Sequence, residues 1–406
     1  MKRSEFNKDS NNQTHKREGI VLLLLIFAGL VGLVFWLLSS LRTDSVEESL
    51  SNSDSVVNTL FVMEGRGEVL FTDVFIYYPV SKRGSLINIL GNTGAIFRSL
   101  DRVDRIDVIY AEKGIEVYKS EIENLIGQPI PFYVVLKLET FGSLTDMLGG
   151  MRVFIPEVVD VKDENGNRSL LPSGVVNLDG DKINTYLTYS RPDETDDDVI
   201  DRRQNVMLAF FNALGRNKRI MQNRAHFATI SKNLESNLDE DALFKLFSEI
   251  SQVDSERLIP QAITGLNRMV DGKMLLFPYY DGDLIKDVVK QVANSLITSS
   301  EDADGGRVYL LEILNGTTQS GLAHNTSRLM QSAGYDVLST ANADANNYER
   351  TVIINRIGNA TVAKNLGDFI RCQNIIDEEI NQDSEANVDF TIILGSDFDG
   401  RYVRAK

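Results

Sequence analysis

Residues 189–204 read YSRPDETDDDVIDRRQ, a run that sets Arg191, Arg202 and Arg203 around a block of aspartates and a glutamate and closes on Gln204. Guanidinium groups are planar, permanently charged forks that grip two phosphate oxygens at once, so arginines grouped this closely suit one wall of a phosphate-handling site. The acids Asp193, Glu194, Asp196, Asp197 and Asp198 offer a second chemistry, the holding of a divalent ion. Their spacing fits no Ca²⁺ loop, because the glycine and terminal glutamate of such loops are absent. The competing reading is a solvated charged loop, as most such runs are. The elements around the run decide between them.

At 406 residues the chain has room for two domains, and 43% hydrophobic with 25% charged residues is the composition of a folded protein. The net charge of −16 argues against a nucleic-acid binder, which needs a basic face to displace counterions. The single Cys372 excludes an intramolecular disulfide, and His15, His226 and His324 are too scattered for a metal cluster. GIVLLLLIFAGLVGLVFWLLSSL, residues 19–41, carries no charge and is long enough to cross a bilayer as one helix. Lys2, Arg3, Lys8, Lys16 and Arg17 precede it, whereas Asp44, Glu47 and Glu48 follow. That asymmetry predicts a cytoplasmic tail over 1–18, a transmembrane helix over 19–41 and an outer part beginning with a polar tether over 42–56.

The outer part is α/β. NTLFVMEG, TDVFIYYPV and SLINIL read as strands, the last after a Lys-Arg-Gly turn. RIDVIYAEKGIEVYKSEIENLIG ends as an amphipathic helix closed by glycine. FYVVLKLETFGSLTDMLGGMRVFIPE reads strand, short helix with Leu144, Met147 and Leu148 on one face, then strand. RRQNVMLAFFNALGRN is a helix with a buried face. After a linker over 294–305, four strands and two helices alternate through 306–406 as a small α/β module. NGTTQSGLA, residues 315–323, has glycines spaced like a phosphate loop but lacks the Gly-Lys-Ser/Thr, and reads as a strand turning into a helix capped by Thr or Ser.

The order FYVVLKLETFGSLTDMLGGMRVFIPE, LDGDKINTYLTYSR, RRQNVMLAFFNAL resembles the LytR-CpsA-Psr (LCP) family, and ILNGTTQSGLAHNTSRLMQSAGYDVLSTANAD through FTIILGSDF resembles the LytR C-terminal domain. The resemblance implies an LCP-type α/β sandwich over 57–293, followed by a small α/β domain. It also implies an envelope enzyme that transfers a glycopolymer from a polyprenyl-pyrophosphate carrier to peptidoglycan, with arginines and Mg²⁺ over the phosphates. Carried onto this chain, it makes Arg203, Arg191 and Arg202 catalytic, Gln204 and Asp73 substrate-binding, and Asp73 a metal ligand.

Several positions depart from the family pattern. Gly91 and Asn92 stand where the family has Arg and Asp, which removes a cation and a charged Mg²⁺ ligand. Thr188 and Ser190 stand where arginines are expected, with Arg191 one step late, and Ile200 replaces another. In a strand that slip would turn the side chain to the other face, with the Pro192 turn able to restore it. Arg66, Lys82, Arg83, Arg98, Arg102 and Arg105 are candidate substitutes, or solvent-exposed charge. Two functions stay open: an LCP phosphotransferase, or a non-catalytic envelope protein that binds peptidoglycan or a polyprenyl lipid.

Overall fold

The computed structural model describes residues 46–51, 55–162, 168–191, 194–253, 258, 260–298, 309–332, 335–377 and 388–404. The expected membrane span over 19–41 lies outside them. Among the described residues no helix is long and apolar enough to cross a membrane. Where a polar tether is expected, Val46–Ser51 forms a short helix.

A six-stranded sheet organises the first part. Its strands are β1 (Val57–Gly65), β2 (Glu68–Tyr78), β3 (Arg83–Ile89), β4 (Phe132–Lys137), β5 (Leu234–Ser236) and β6 (Pro260–Ala262), in the order β5-β4-β1-β2-β3-β6. β1 and β2 are central and covered on both faces, which is why their residues are apolar almost without a break. The turn between β2 and β3 spans residues 79–82, so Arg83 and Gly84 of the expected Lys-Arg-Gly turn already belong to the strand.

One sheet face, carrying Leu60, Val62, Val74 and Ile76, packs against Tyr118, Ile122 and Ile126 of α2 (Ile115–Ile126), which follows α1 (Asp107–Lys113). Gly127 ends α2 at φ 69°, a left-handed conformation that glycine adopts without strain. The opposite face carries Phe61 and Phe75. Their rings meet Phe211 at 5.4 and 4.7 Å, and Phe247 lies 6.4 Å from Phe61. Edge-on and tilted contacts of this kind add about 0.5–1.5 kcal/mol each to the burial itself.

Further helices of this part include α3 (Leu138–Met147), α4 (Gly180–Thr188), α5 (Asp196–Arg216) and α6 (Glu240–Ile250). α5 brings Phe210 and Phe211 into the aromatic layer, and α6 brings Phe247. On α3 the buried face is Phe141, Leu144, Thr145 and Leu148; Met147, expected on that face, is exposed. α7 (Asp283–Thr298) runs past residue 294, where a linker is expected.

The second part is a five-stranded sheet of β7 (Leu310–Asn315), β8 (Asp336–Asn342), β9 (Val352–Asn355), β10 (Ile375–Asp377) and β11 (Phe390–Leu394), ordered β8-β7-β11-β9-β10. β9 runs antiparallel to β11, while β7 is parallel to both of its neighbours. Its helices are α8 (Leu322–Ser332) and α9 (Ala360–Ile370). α8 begins after Gly321 instead of a Thr or Ser cap. Thr317 closes the turn before it, donating to Asn315 Oδ1 and accepting from the Gln319 amide.

Candidate functional site

Asp73 lies near the middle of β2, opposite Phe61 of β1 and Asn88 of β3. Directly opposed residues of an antiparallel pair share a face, so its carboxylate faces the aromatic layer. It is 1% exposed. Asn88 Nδ2 donates to Oδ1 at 3.1 Å, while Oδ2 is buried with no hydrogen-bond partner. Burial pushes the carboxyl up to about 7, opposed by the Asn88 bond.

Arg203 reaches the same strand from the facing helix. On α5 the residues Arg203, Met207, Phe210 and Leu214 follow the spacing of one helical face, so the guanidinium sits one turn before the aromatic layer. Its Nη1 donates to the Leu70 carbonyl at 2.5 Å, and its Nε is buried without a partner. Burial lowers its pKa from the ordinary arginine value, the neighbouring Arg202 adds to this, and Glu194 opposes it. Gln204, beside it, is half-buried and makes no side-chain hydrogen bond among the described residues.

From Asp196 onward the acidic run is helix, with Asp198 exposed. Thr195 caps α5 in a reciprocal capping box with Asp198, so the helix begins at Asp196 and Arg202 lies well inside it instead of at its start. Asp196–Asp198 fill the first turn, where acidic residues favour the helix dipole. Glu194, expected among solvent-facing acids, is buried and ion-paired with Arg202, each side chain 4% exposed. Arg202 also donates to the Tyr189 carbonyl at 3.1 Å and covers the Tyr189 ring at 4.1 Å. Arg191 pairs with Glu157. Of the three arginines, Arg203 alone has no carboxylate in ion-pair contact among the described residues.

Residues 186–188 close α4, so the one-residue slip of Arg191 does not take place within a strand. Tyr186 is buried and stacked on Tyr189 at 5.8 Å, whereas Thr188 is exposed and bonds back to the Asn184 carbonyl at 2.9 Å. Ser190 is exposed as well. Asn92 lies in the turn after β3, its carbonyl accepting from Leu276 at 2.9 Å; the partner of Asp73 is Asn88. Beside Gly91, Arg105 Nε donates to Asp107 Oδ1 at 3.0 Å. Lys82 pairs with Glu249, and Arg102 with Asp104 and Glu112. No hydrogen bond or ion pair joins Asp73 to an arginine among the described residues. Sequence reading missed Glu194, Glu157 and Asn88; the hairpin turn at 79–82 is the signal that could have paired Asn88 with Asp73.

Residues 81–293, just over half of the chain, match the LytR_cpsA_psr family model. The chain belongs to that family. Residues 309–398 match the model described as LytR cell envelope-related transcriptional attenuator. Arg203 falls inside the first match, and Asp73 lies just ahead of it. The chain is similar to the polyisoprenyl-teichoic acid–peptidoglycan teichoic acid transferase TagU of Bacillus licheniformis, 22% identical over 63% of this chain and 83% of that protein. It is 21% identical to TagU of Bacillus subtilis strain 168, over 70% of this chain and 99% of that one. The crystal structure of B. subtilis TagV superposes with a TM-score of 0.53 at 17% identity, covering 60% of this chain and 99% of that one, and the fold is therefore of the LCP type.

Among the described residues no group of three His, Cys, Asp or Glu side chains is placed to hold a metal ion. The orphaned Oδ2 of Asp73 still fits Mg²⁺. That ion is ordinarily held by one or two carboxylates, with substrate phosphates and water completing the octahedron.

Proposed function

We propose that this chain is a membrane-anchored envelope enzyme, its N-terminal tail cytoplasmic and its bulk outside. It would take a glycopolymer from a polyprenyl-diphosphate carrier and join it to peptidoglycan. Family membership and the TagU relatives support the reaction class. The observation that carries the reading is Arg203, a largely buried guanidinium with an unpartnered Nε, at the edge of an apolar layer and with no carboxylate in ion-pair contact among the described residues. A buried cation with unused donors is costly, and an anionic ligand relieves that cost.

Arg203 would hold non-bridging phosphate oxygens and stabilise the charge that collects on the departing polyprenyl phosphate. Asp73 would hold Mg²⁺ through Oδ2, with Asn88 fixing the carboxylate through Oδ1. Magnesium, when bound, shields the charge between the two phosphoryl groups. Gln204 would donate to the same head group. Arg202 and Arg191, already paired with Glu194 and Glu157, would act by holding the α4–α5 connection in place.

Those two pairings favour a second reading, in which the site binds a polyprenyl lipid without turning it over. The experiment is release of polyprenyl phosphate from a polyprenyl-diphosphate glycopolymer by the purified full chain with Mg²⁺ and a peptidoglycan oligomer as acceptor, compared with Arg203→Ala. Turnover lost in the variant supports the enzyme. Lipid binding without turnover in the wild type supports the second reading and removes the first for that substrate.

A further inference from the structure

Residues 50–406 form one compact unit, and α7 of the first part meets the C-terminal part along a groove that no step above uses. Two cavities, of about 260 and about 950 Å³, lie next to one another and share Asp368, Arg371 and Tyr402 in their walls. The smaller is lined by Lys290, Gln291 and Asn294 of α7 and by Asn365 of α9. The larger continues over Arg350, Asn374 and Arg404. The larger cavity alone matches the space of an extended small ligand and is far too long for one phosphate.

The charges in the groove are unequal in their freedom. Asp397 accepts from the Thr351 amide and hydroxyl, and Asp399 from the Arg401 and Tyr402 amides. Asp287 accepts from Arg401 and Tyr402, and Asp368 from Lys364. Asp287 is neutralised by buried Arg401 and Asp368 pairs with Lys364 at the surface, whereas Asp397 is held by neutral donors and keeps its charge. Lys290, Arg350 and Arg371 are exposed and have no carboxylate in ion-pair contact among the described residues. Arg371 is held in place by its guanidinium lying 3.7 Å above the Tyr402 ring. Arg404 is bonded to Asp399 only at 3.5 Å. Glu349, on the rim, is outside any ion pair among the described residues.

In a chain of net charge −16, three cations outside any ion pair among the described residues, Lys290, Arg350 and Arg371, thus lie along one groove beside amide side chains, with Glu349 and Asp397 the lining acids outside ion pairs. Guanidinium forks suit carboxylate or phosphate, and amides suit hydroxyl groups that both donate and accept. We propose that the groove binds an anionic glycan strand, its carboxylates or phosphates on Arg350, Arg371 and Lys290 and its hydroxyls on Asn294, Asn365 and Asn374. The glycan identity rests on the envelope function proposed above; the preference for an anion rests on the groove itself. An acceptor or product strand held there would lie on the same folded unit as Asp73 and Arg203.

Calorimetric titration of the purified full chain, without lipid or Mg²⁺, tests this with three probes. These are an N-acetylglucosamine–N-acetylmuramic acid oligomer, an oligo(glycerol phosphate) and a neutral N-acetylglucosamine hexamer. Binding of either anionic probe at least tenfold tighter than the hexamer is expected, and the tighter of the two identifies the source. Arg350→Gln and Arg371→Gln should each weaken it at least tenfold, and added salt should weaken it further. Lys290→Gln, on the exposed side of α7, repeats the test if Arg371→Gln melts early. Equal affinity for all three probes, no binding, or unchanged affinity in the folded variants would overturn the proposal. Failure here with polyprenyl phosphate release intact removes only the groove; a working groove without that release removes only the catalytic reading.

Discussion

The Arg202 guanidinium is ion-paired with the Glu194 carboxylate, both side chains 4% exposed, while the adjacent Arg203 guanidinium hydrogen-bonds only the Leu70 carbonyl among the described residues. Two neighbouring arginines on one helix thus have opposite electrostatic situations. Removing Arg202 strands a buried carboxylate, a change that costs about 3–5 kcal/mol in comparable pairs. Arg202→Ala is therefore expected to lose that much stability in urea unfolding, while Arg203→Ala keeps stability near wild type and loses release of polyprenyl phosphate. Full stability in Arg202→Ala would show that the pair holds nothing in place.

Asp73 makes stability depend on pH. Its carboxyl ordinarily titrates at 3.8, and burial raises it to about 7. Between those values the unfolded chain has released this proton and the folded chain has kept it, so stability falls as pH rises through the window and levels off above it. The slope limit is about 1.4 kcal/mol per pH unit. In metal-free protein, Asp73→Asn should lose that slope, gaining a few kcal/mol over wild type near pH 8 and little near pH 4. Urea titrations across that range check it; parallel curves for the two proteins would contradict it.

Gly91, where the resemblance to the family leads to an expected arginine, leaves no room for a side chain as the site stands. A Cβ there would lie 2.6 Å from Asp107 Oδ2, and Arg105 holds that carboxylate in place. The Arg105 guanidinium already lies beside this turn, neutralised by Asp107. Gly91→Arg alone should lower stability by about 1–3 kcal/mol, the usual cost of overpacking. Gly91→Arg combined with Asp107→Gly should recover much of it, because the second change opens the space and frees Arg105. Thermal melts of the single and double variants decide; additive losses would mean that the clash lies elsewhere.

Local pattern made much of this fold legible and tertiary pairing hid the rest. β1, β2 and β3 are recognisable because central strands buried on both faces need unbroken apolar residues. α4 was open to the same kind of reading: Ile183, Tyr186 and Leu187 have helical spacing behind the Asp179 cap. The start of α5 was hidden because aspartates favour both loops and first helical turns, and only the Thr195–Asp198 capping box separates them. That Glu194 is buried is set by Arg202 and Tyr189 closing over it, a contact that charge spacing does not report. Asp73 could be located by resemblance, whereas its bond to Asn88 follows from hairpin register.

Arg401 ties the C-terminal part to α7 and gives the last prediction. Its Nη2 donates to Asp287 at 2.6 Å, and its guanidinium lies between the Tyr280 ring at 4.4 Å and the Tyr402 ring at 4.2 Å. Tyr280 and Asp281 both sit at φ 55°, a left-handed conformation that costs side-chain-bearing residues about 1–3 kcal/mol each. The stack on Arg401 offsets part of that strain. Arg401→Ala removes an almost fully buried cation from this arrangement and leaves the strained turn without its cover. Calorimetric melting of the variant should show the single wild-type transition split in two, with the C-terminal part melting first. Arg401→Lys keeps the charge but loses the planar stacking, so its melting should fall between the other two. A wild-type melting curve for Arg401→Ala would mean that the two parts are joined by other contacts.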